Sequence, residues 1–524
     1  ALKTLINSDE GTANDIINYV RGNDIPGFRD RDTVLGDIVN SRPTFVGQSN
    51  EGWTRLPGAA GTAYPGFVSG KAGTKDAVYV GGNAGMLHAF DADNGNELFG
   101  YVPRAVLPKL EALTKDPYKH QFFVDGQIVV RDAWNGSSWR RVLVGGLGAG
   151  GRGIFAIDVT NPNSPTVLWD LTNKEQPDLG FTFGDPVITR LADGKWVAIF
   201  GNGYNSDDNK ARLFVVDLFS NGNVRNTDSK VLEETSGNNG LSGVAPLLDP
   251  ATRQFTTRVY AGDLNGTVWR VDFDQTDGKA DVAYDSGLFT DPNGRSITST
   301  PGLAASPAGG LFVYVGTGKL IEPEDRLGES IALEHLYALR DQGSALPDTP
   351  RFGEPSITTS AKGRVITGER GEDGWVLNLS ANGAQTGERV LARPRIIFGQ
   401  VIFSTFEPNE NPCSPGGNQR LYVLDALTGG GALDNICENC GVVEVGVGGP
   451  IDPPVIIVPP AGSEGGPDPD DPDNPFDPGD MPDPDAVGAR SGWCSQFGTL
   501  NPATGQPLLI GTICDGRQVW RQAR

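Results

Sequence analysis

Methionine and histidine are nearly absent from this chain: two Met and three His occur in 524 residues. So few Met argue against a Met-packed helical bundle, and three His argue against a His-rich metal centre. Long apolar runs are missing too. No stretch of about 18 apolar residues exists, so no transmembrane helix and no membrane insertion are expected. The best candidate, Val442 to Val458, is broken by Glu444, Pro450, Asp452, Pro453 and Pro454. Basic residues are in deficit: 43 Lys and Arg face 65 Asp and Glu, a net charge of −22. Such a chain repels the phosphates that supply most nucleic-acid affinity, so nucleic acid is excluded as a partner. Ala1 is not followed by a basic start and an apolar run, so no signal peptide is legible. The sequence then reads as a cytoplasmic protein, a mature exported chain or a fragment.

Cysteine is sparse and localised. All five (Cys413, Cys437, Cys440, Cys494, Cys514) lie in the last quarter, among Pro- and Gly-rich loops. The Cys437-x-x-Cys440 pair reads as half a zinc site, a redox motif or a structural disulfide. Zinc needs a second short-spaced pair, and no His follows His335. A thioredoxin-like role lacks its βαβ context. Structural disulfides in an exported chain are the reading adopted. Cys494 and Cys514 flank a short Gly- and Pro-containing hairpin and are expected to pair. Cys437 is expected to pair with Cys440 or Cys413, leaving one odd thiol.

Glycine is abundant, 72 residues with 38 Pro, against an average glycine share of about 7%. Many tight turns follow, and they punctuate a repeat. A β-branched run ends in Gly, and a second apolar run ends in Asp: Val78–Gly81 with Leu87–Asp91, then Val142–Gly145 with Ile154–Asp158. Further copies are Val197–Gly201 with Leu213–Asp217, Val259–Gly262 with Val268–Asp272, Val313–Gly316 with Leu336–Leu339, and Leu421–Asp425. These are hairpins. Their spacing exceeds the ~40–50 residues of simple propeller repeats, as loop insertions would make it.

The expected fold is all-β, a modified seven-bladed β-propeller with long loop insertions and a few short helices. Six copies are legible. The seventh blade is expected to combine Ile38–Val46 with Leu508–Ile513 and Gln518–Trp520, closing the ring. Residues 1–37 form a helical lead-in, with helix over Thr12–Arg21 capped by Gly22. Blades occupy 38–440 and include a helix over Arg104–Thr114, and closing strands occupy 491–524. Between them, 441–490 reads as a Pro/Gly/Asp-rich extended insertion. From Glu464 to Asp485 it holds nine acids and no base.

No catalytic constellation is legible. His88, His120 and His335 lie far apart and none adjoins a nucleophile. Gly145–Gly151 lacks the Lys-Ser/Thr of a phosphate loop and leads into a strand. Asp91-Ala92-Asp93-Asn94-Gly95-Asn96-Glu97 begins like a calcium loop but is read first as a hairpin turn, since it is too short to supply six oxygens alone. Asn202, Asn205, Asp207, Asp208 and Asn209 read as a polar loop.

Asn83-Ala84-Gly85-Met86-Leu87-His88-Ala89-Phe90-Asp91-Ala92 resembles a signature of the PilC/PilY family of type IV pilus tip-associated adhesins. So do Phe123-Val124-Asp125-Gly126, Val144–Asp158 with Val159-Thr160-Asn161-Pro162, and Val259-Tyr260-Ala261-Gly262-Asp263-Leu264-Asn265-Gly266 with Trp269-Arg270. Arg31-Asp32 with Leu35–Val39 resembles the start of that domain, and Val519-Trp520-Arg521 its end. The resemblance spans nearly the whole chain outside 441–490. It implies a non-enzymatic C-terminal propeller of a longer exported protein at the cell surface and pilus tip. That protein would assemble with minor pilins, favour pilus extension over retraction and adhere to host or abiotic surfaces. The family commonly places a calcium loop before the V-Y-A-G-D strand. Here Leu247–Arg258 keeps only Asp249 and adds Arg253 and Arg258. One carboxylate cannot replace a calcium ion's hydration shell, so no metal site is carried over. The alternatives are a quinoprotein-like propeller enzyme, echoed in Ala89/Asp91/Gly95 and Asp425–Gly429, and a carbohydrate-binding propeller. The enzyme reading lacks an adjacent Cys-Cys pair and a legible Asp–calcium–quinone set.

Overall fold

In the computed structural model the described residues are 10–222, 230–232, 237–326, 332–433 apart from 362, 382, 384 and 410–415, 437–448, 456–457, 494–500 and 507–514. They form two compact units, Ala1–Gly294 and Arg295–Ala523.

The first unit holds four antiparallel meanders, the blades of a propeller. Sheet one is β1 (Thr44–Val46), β2 (Ala77–Gly82), β3 (Met86–Asp91) and β4 (Glu97–Tyr101). Sheet two is β5 (Ile128–Trp134), β6 (Trp139–Gly146), β7 (Gly153–Asp158) and β8 (Thr166–Thr172). Sheet three is β9 (Val187–Arg190), β10 (Trp196–Gly201), β11 (Arg212–Asp217) and β12 (Lys230–Val231). Sheet four is β13 (Leu241–Leu248), β14 (Thr256–Asp263), β15 (Thr267–Phe273) and β16 (Ala280–Val282), with β17 (Phe289–Thr290) also on β15. The first strands lie side by side, β5 touching β1 and β9, and β9 touching β13.

The second unit holds sheet five, β18 (Gly302–Ala305), β19 (Leu311–Gly316), β20 (His335–Asp341) and β23 (Gly374–Asn378), with the hairpin β21 (Ser356–Ser360)–β22 (Gly363–Thr367) inserted before β23. Sheet six is β24 (Arg395–Ile397), β25 (Gln400–Pro408), β26 (Gly417–Asp425) and β27 (Val442–Gly448). A three-stranded sheet follows, β28 (Ile456–Ile457), β29 (Cys494–Leu500) and β30 (Pro507–Cys514).

The glycine and aspartate of the repeat have separate jobs. The glycine ends a strand where the chain entering the next sheet crosses it. A Cβ on Gly81 would sit 2.3 Å from Val124 O, one on Gly201 2.2 Å from Ser242 O, and one on Gly316 2.2 Å from Val390 Cβ. In the second copy Gly146 meets Thr182 O at 2.7 Å, while Gly145 admits the ring of Phe155. The aspartate caps the turn. Asp158 Oδ1 accepts from Thr160 N at 2.9 Å, and Asp425 Oδ1 from Thr428 N at 2.8 Å. In the fourth copy this role falls to Asp274, which accepts from Thr276 N at 2.7 Å. Asp272, expected there, lies inside β15 and pairs with Arg270 at 2.7 Å. Apolar cores fill the spaces between sheets. Leu87, Leu143 and Phe155 share one core, Trp139, Trp196 and Phe214 another, and in the second unit Tyr314, Trp375 and Tyr422 a third.

Several expectations need correction. β1 pairs with β2 and completes sheet one, while β30 pairs with β29 and β29 with β28, so Ile38–Val46 and Leu508–Ile513 do not share a sheet. Each end finds a partner close in sequence, where ordering costs least chain entropy. Gln518–Trp520 lie outside the described residues. Val442–Gly448, assigned to the extended insertion, is β27 paired along β26. Val443 and Val445, two residues apart, pack into the same apolar core, a period hidden by the glycines and prolines that follow. The helix expected over Thr12–Arg21 is α1 (Glu10–Val20), with Gly22 at φ 105°. Arg104–Thr114 narrows to a 3₁₀ segment, Leu107–Thr114. One helix carries no sequence signal: α2 (Ala59–Lys71), in the β1–β2 connection, contains Gly61, Pro65, Gly66 and Gly70. Its own propensity is poor, and packing on sheet two supplies its stability.

Candidate functional site

The insertion between β1 and β2 lies over sheets two and three. Trp139 Nε1 donates to Ala60 O at 2.8 Å, Tyr64 packs on Trp139 at 4.6 Å, and Trp53 meets Trp196 edge-on at 4.9 Å. These rings close off a cluster of charged side chains. Asp132, in the middle of β5, and Lys71, at the end of α2, are 2% and 3% exposed with Nζ 2.5 Å from Oδ2. Lys71 Nζ also donates to Ser49 O at 2.6 Å, and Tyr64 OH donates to Asp132 Oδ2 at 2.7 Å. Arg141 Nε stands 4.0 Å from Asp132 Oδ1 while its Nη2 donates to Gly47 O at 2.8 Å. Glu51 Oε1 accepts from Asp132 N at 3.3 Å, Glu51 Oε2 from Trp53 Nε1 at 3.2 Å, and Glu51 N donates to Tyr64 OH at 2.8 Å.

Burial first, and the charge of Asp132 second, push the Glu51 carboxyl up to about 7. Burial also raises the Tyr64 hydroxyl, and its bond to Asp132 adds to this. Beside the cluster is a cavity of about 250 Å³ lined by Ser49, Glu51, Asp132 and Arg141 among others. A buried amine, a carboxylate it touches and a carboxyl poised near neutrality are equipped for proton transfer between them.

The residues singled out from sequence lie elsewhere and do not converge. His88 Nδ1 is 2.7 Å from Glu97 Oε1, His120 Nε2 is 2.9 Å from Asp37 Oδ2, and His335 opens β20. The Asp91 loop is a turn. Asp91 Oδ1 accepts from Asp93 N at 3.0 Å, Oδ2 bonds Lys75 and Asn94, and Gly95 takes φ 73°. Lys75 thus supplies the cation in contact with that carboxylate. Asn202 is buried and staples its loop, donating to Lys210 O at 2.9 Å and accepting from Leu241 N at 3.0 Å. Asp208 pairs with Arg212; burial raises its carboxyl, but the bonds from Arg212 and Ser206 outweigh that and hold it low. Asp249 Oδ2 accepts from both Thr252 N and Thr252 Oγ1 at 2.7 Å. Gly148 and Gly150 press on Asp125 and Phe123 backbone, so the glycine run is a packing device. No group of three or more His, Cys, Asp or Glu fit for a metal occurs among the described residues. A disulfide joins Cys437 to Cys440, with Cα atoms 5.2 Å apart. Cys413 lies outside the described residues. The backbone register sets Cys494 opposite Cys514.

The model of the PilY1 beta-propeller domain matches residues 35–354. The chain belongs to the PilY1 β-propeller family. Among curated relatives, a type IV pilus biogenesis factor PilY1 homolog of Xylella fastidiosa is 36% identical over 473 residues, covering 81% of this chain and 32% of that protein. The type IV pilus biogenesis factor PilY1 of Pseudomonas aeruginosa is 34% identical over 475 residues, covering 79% of this chain and 40% of that one. The crystal structure of the Pseudomonas aeruginosa PilY1 C-terminal domain superposes with a TM-score of 0.59 at 31% identity, covering 71% of this chain and 82% of that one. The chain thus spans 32% to 40% of the length of these two curated relatives. The resemblance read from motifs is confirmed, and so is the all-β propeller.

The PilY1 motifs themselves do structural work here. Asp263 accepts from Trp269 Nε1 at 2.7 Å, Asn239 Nδ2 at 3.0 Å and Thr267 N at 2.8 Å, fixing the β14–β15 turn. Asn83 Oδ1 accepts from Phe123 N at 2.9 Å, and Asp125 Oδ2 from Asn40 Nδ2 at 2.6 Å, tying sheet one to the approach to sheet two. The Glu51–Lys71–Asp132 cluster belongs to none of these motifs. The signal available for it was a single Asp at an inward position of the apolar run Ile128–Trp134.

Proposed function

We propose that this chain is the propeller of a non-enzymatic type IV pilus tip protein, exported to the cell surface. It acts in pilus assembly, in the balance of extension against retraction, and in adhesion. The observation that carries this reading is family membership, together with the similarity to proteins named type IV pilus biogenesis factors. Minor pilins are the partners at the fibre, and host or abiotic surfaces are the adhesion targets. The net charge of −22 keeps the surface solvated and away from nucleic acid. Docking faces are supplied by the loops that connect the blades.

Deleting the coding region for this chain in its native host tests the proposal. The expected strain carries few surface pili and adheres poorly, and removing the retraction motor restores pili in part. Immunogold label should decorate fibre tips. Normal piliation in the deletion strain, with label confined to the cytoplasmic membrane, would end this reading.

A further inference from the structure

We propose that Lys71 and Asp132 become joined by an intramolecular amide bond between Nζ and Cγ, formed by the folded chain itself with Glu51 carrying the proton. Three independent features of the site meet this chemistry's requirements. The lysine nitrogen and the carboxylate it would join are already in contact, with Nζ 2.5 Å from Oδ2, an oxygen bonded to Cγ, so folding has supplied the proximity. Both side chains are almost wholly buried, and Phe67 and Tyr64 stand over Nζ with ring centroids at 5.1 and 5.9 Å. Access of bulk water to Nζ is thereby restricted. A second carboxyl, Glu51, is held on the same residue through Asp132 N. Its titration near neutrality lets it take up and return a proton at physiological pH.

The step balances without any co-reactant. One proton passes from Lys71 Nζ to Asp132 Oδ2 along their contact, leaving an amine and a carboxylic acid. The nitrogen lone pair adds to Cγ and charge develops on Oδ1, which faces the Arg141 guanidinium at 4.0 Å. Glu51 accepts the proton released by nitrogen and delivers it to Oδ2, whose departure the Tyr64 hydroxyl assists. The carbonyl re-forms as Oδ2 leaves as water. One C–N bond forms and one C–O bond breaks. Nothing is oxidised or reduced, Glu51 ends as it began, and the adjoining cavity of about 250 Å³ gives the water somewhere to go.

The link would close a loop between positions 61 apart, enclosing most of sheet one and fixing the β1–β2 insertion to sheet two. Tension along the chain could then not unravel β2–β4 past it. The inference rests on the site alone, so its failure would leave the pilus reading standing.

Intact mass of the purified, denatured and reduced chain is the test. The expected mass is one water below that of the sequence, and proteolysis should release a branched peptide uniting the segments around Lys71 and Asp132. Lys71→Ala and Asp132→Ala should each restore the full sequence mass. Glu51→Gln should do so too while keeping a cooperative thermal transition. A full sequence mass for the folded parent chain overturns the proposal. So does a lost water confined to a linear peptide, the mark of a succinimide. Complete linkage in Glu51→Gln would remove Glu51 from the reaction.

Discussion

Glu388, 1% exposed in the second unit, gathers hydrogen bonds from Thr405 Oγ1 at 2.6 Å, Tyr422 OH at 2.7 Å, Arg364 Nη1 at 2.8 Å and Arg420 Nη1 at 3.0 Å. Burial works against the Arg420 charge, but Glu388, Glu407 and Glu444 outweigh it and hold that charge firmly. Glu388→Ala leaves two guanidiniums facing an empty space and is expected to cost about 3–5 kcal/mol of stability, read from denaturant melts. Glu388→Gln, which keeps the shape and part of the bonding, should cost less. Glu51 makes a prediction of opposite character. Its carboxyl binds a proton more tightly in the folded chain, near 7, than at its ordinary value of 4.5. Its contribution therefore favours folding fully below 4.5, and that advantage drains away as pH rises to 7. The shift is worth at most about 3 kcal/mol at 1.36 kcal/mol per pKa unit. The readout is slope rather than level: stability plotted between pH 5 and 8 should fall less steeply in Glu51→Gln than in the parent. Parallel slopes would contradict this.

At the scale of elements, the strand-ending glycines are the strongest local constraints. Gly146→Ala puts a methyl 2.7 Å from Thr182 O and 2.9 Å from Thr182 Oγ1, where the chain turns into sheet three. A cost of about 1–3 kcal/mol is expected in thermal or urea unfolding. Gly66→Ala, on α2 with open space around it, should instead gain up to about 1 kcal/mol by lowering the entropy of the unfolded chain. The pair separates crowding from glycine loss as such. The β strands were legible because each carries β-branched and aromatic residues bounded by glycine or aspartate. Helix α2 was not, because its residues disfavour helix and contacts to sheet two, among them those of Ala60, Tyr64 and Lys71, hold it. Asp272 ends the repeat in sequence but not the strand: β15 runs one residue beyond it, and the register with β14 sets it opposite Arg258.

For the molecule as a whole, the register of β29 and β30 sets Cys494 opposite Cys514, and a disulfide between them is expected. Closing a loop of this length contributes roughly 3 kcal/mol in the chain-entropy model. Mass mapping of the non-reduced chain should recover the two cysteines in one linked pair, and free thiols at both positions would exclude it. Family, strand repeat and acidity were open to reading in the residues. Each depends on local composition or on short runs whose meaning does not change with distant neighbours. Strand partners at the two ends were decided only by tertiary structure, since β1 can pair with any edge that its pattern fits. The same holds for the charged cluster. Glu51, Lys71 and Asp132 come from a loop, a helix end and the middle of a strand, and no periodicity relates them. Hydrophobic patterning determined which residues would be buried. Only the crossing of the β1–β2 insertion over sheet two determined that a lysine and an aspartate would be buried together.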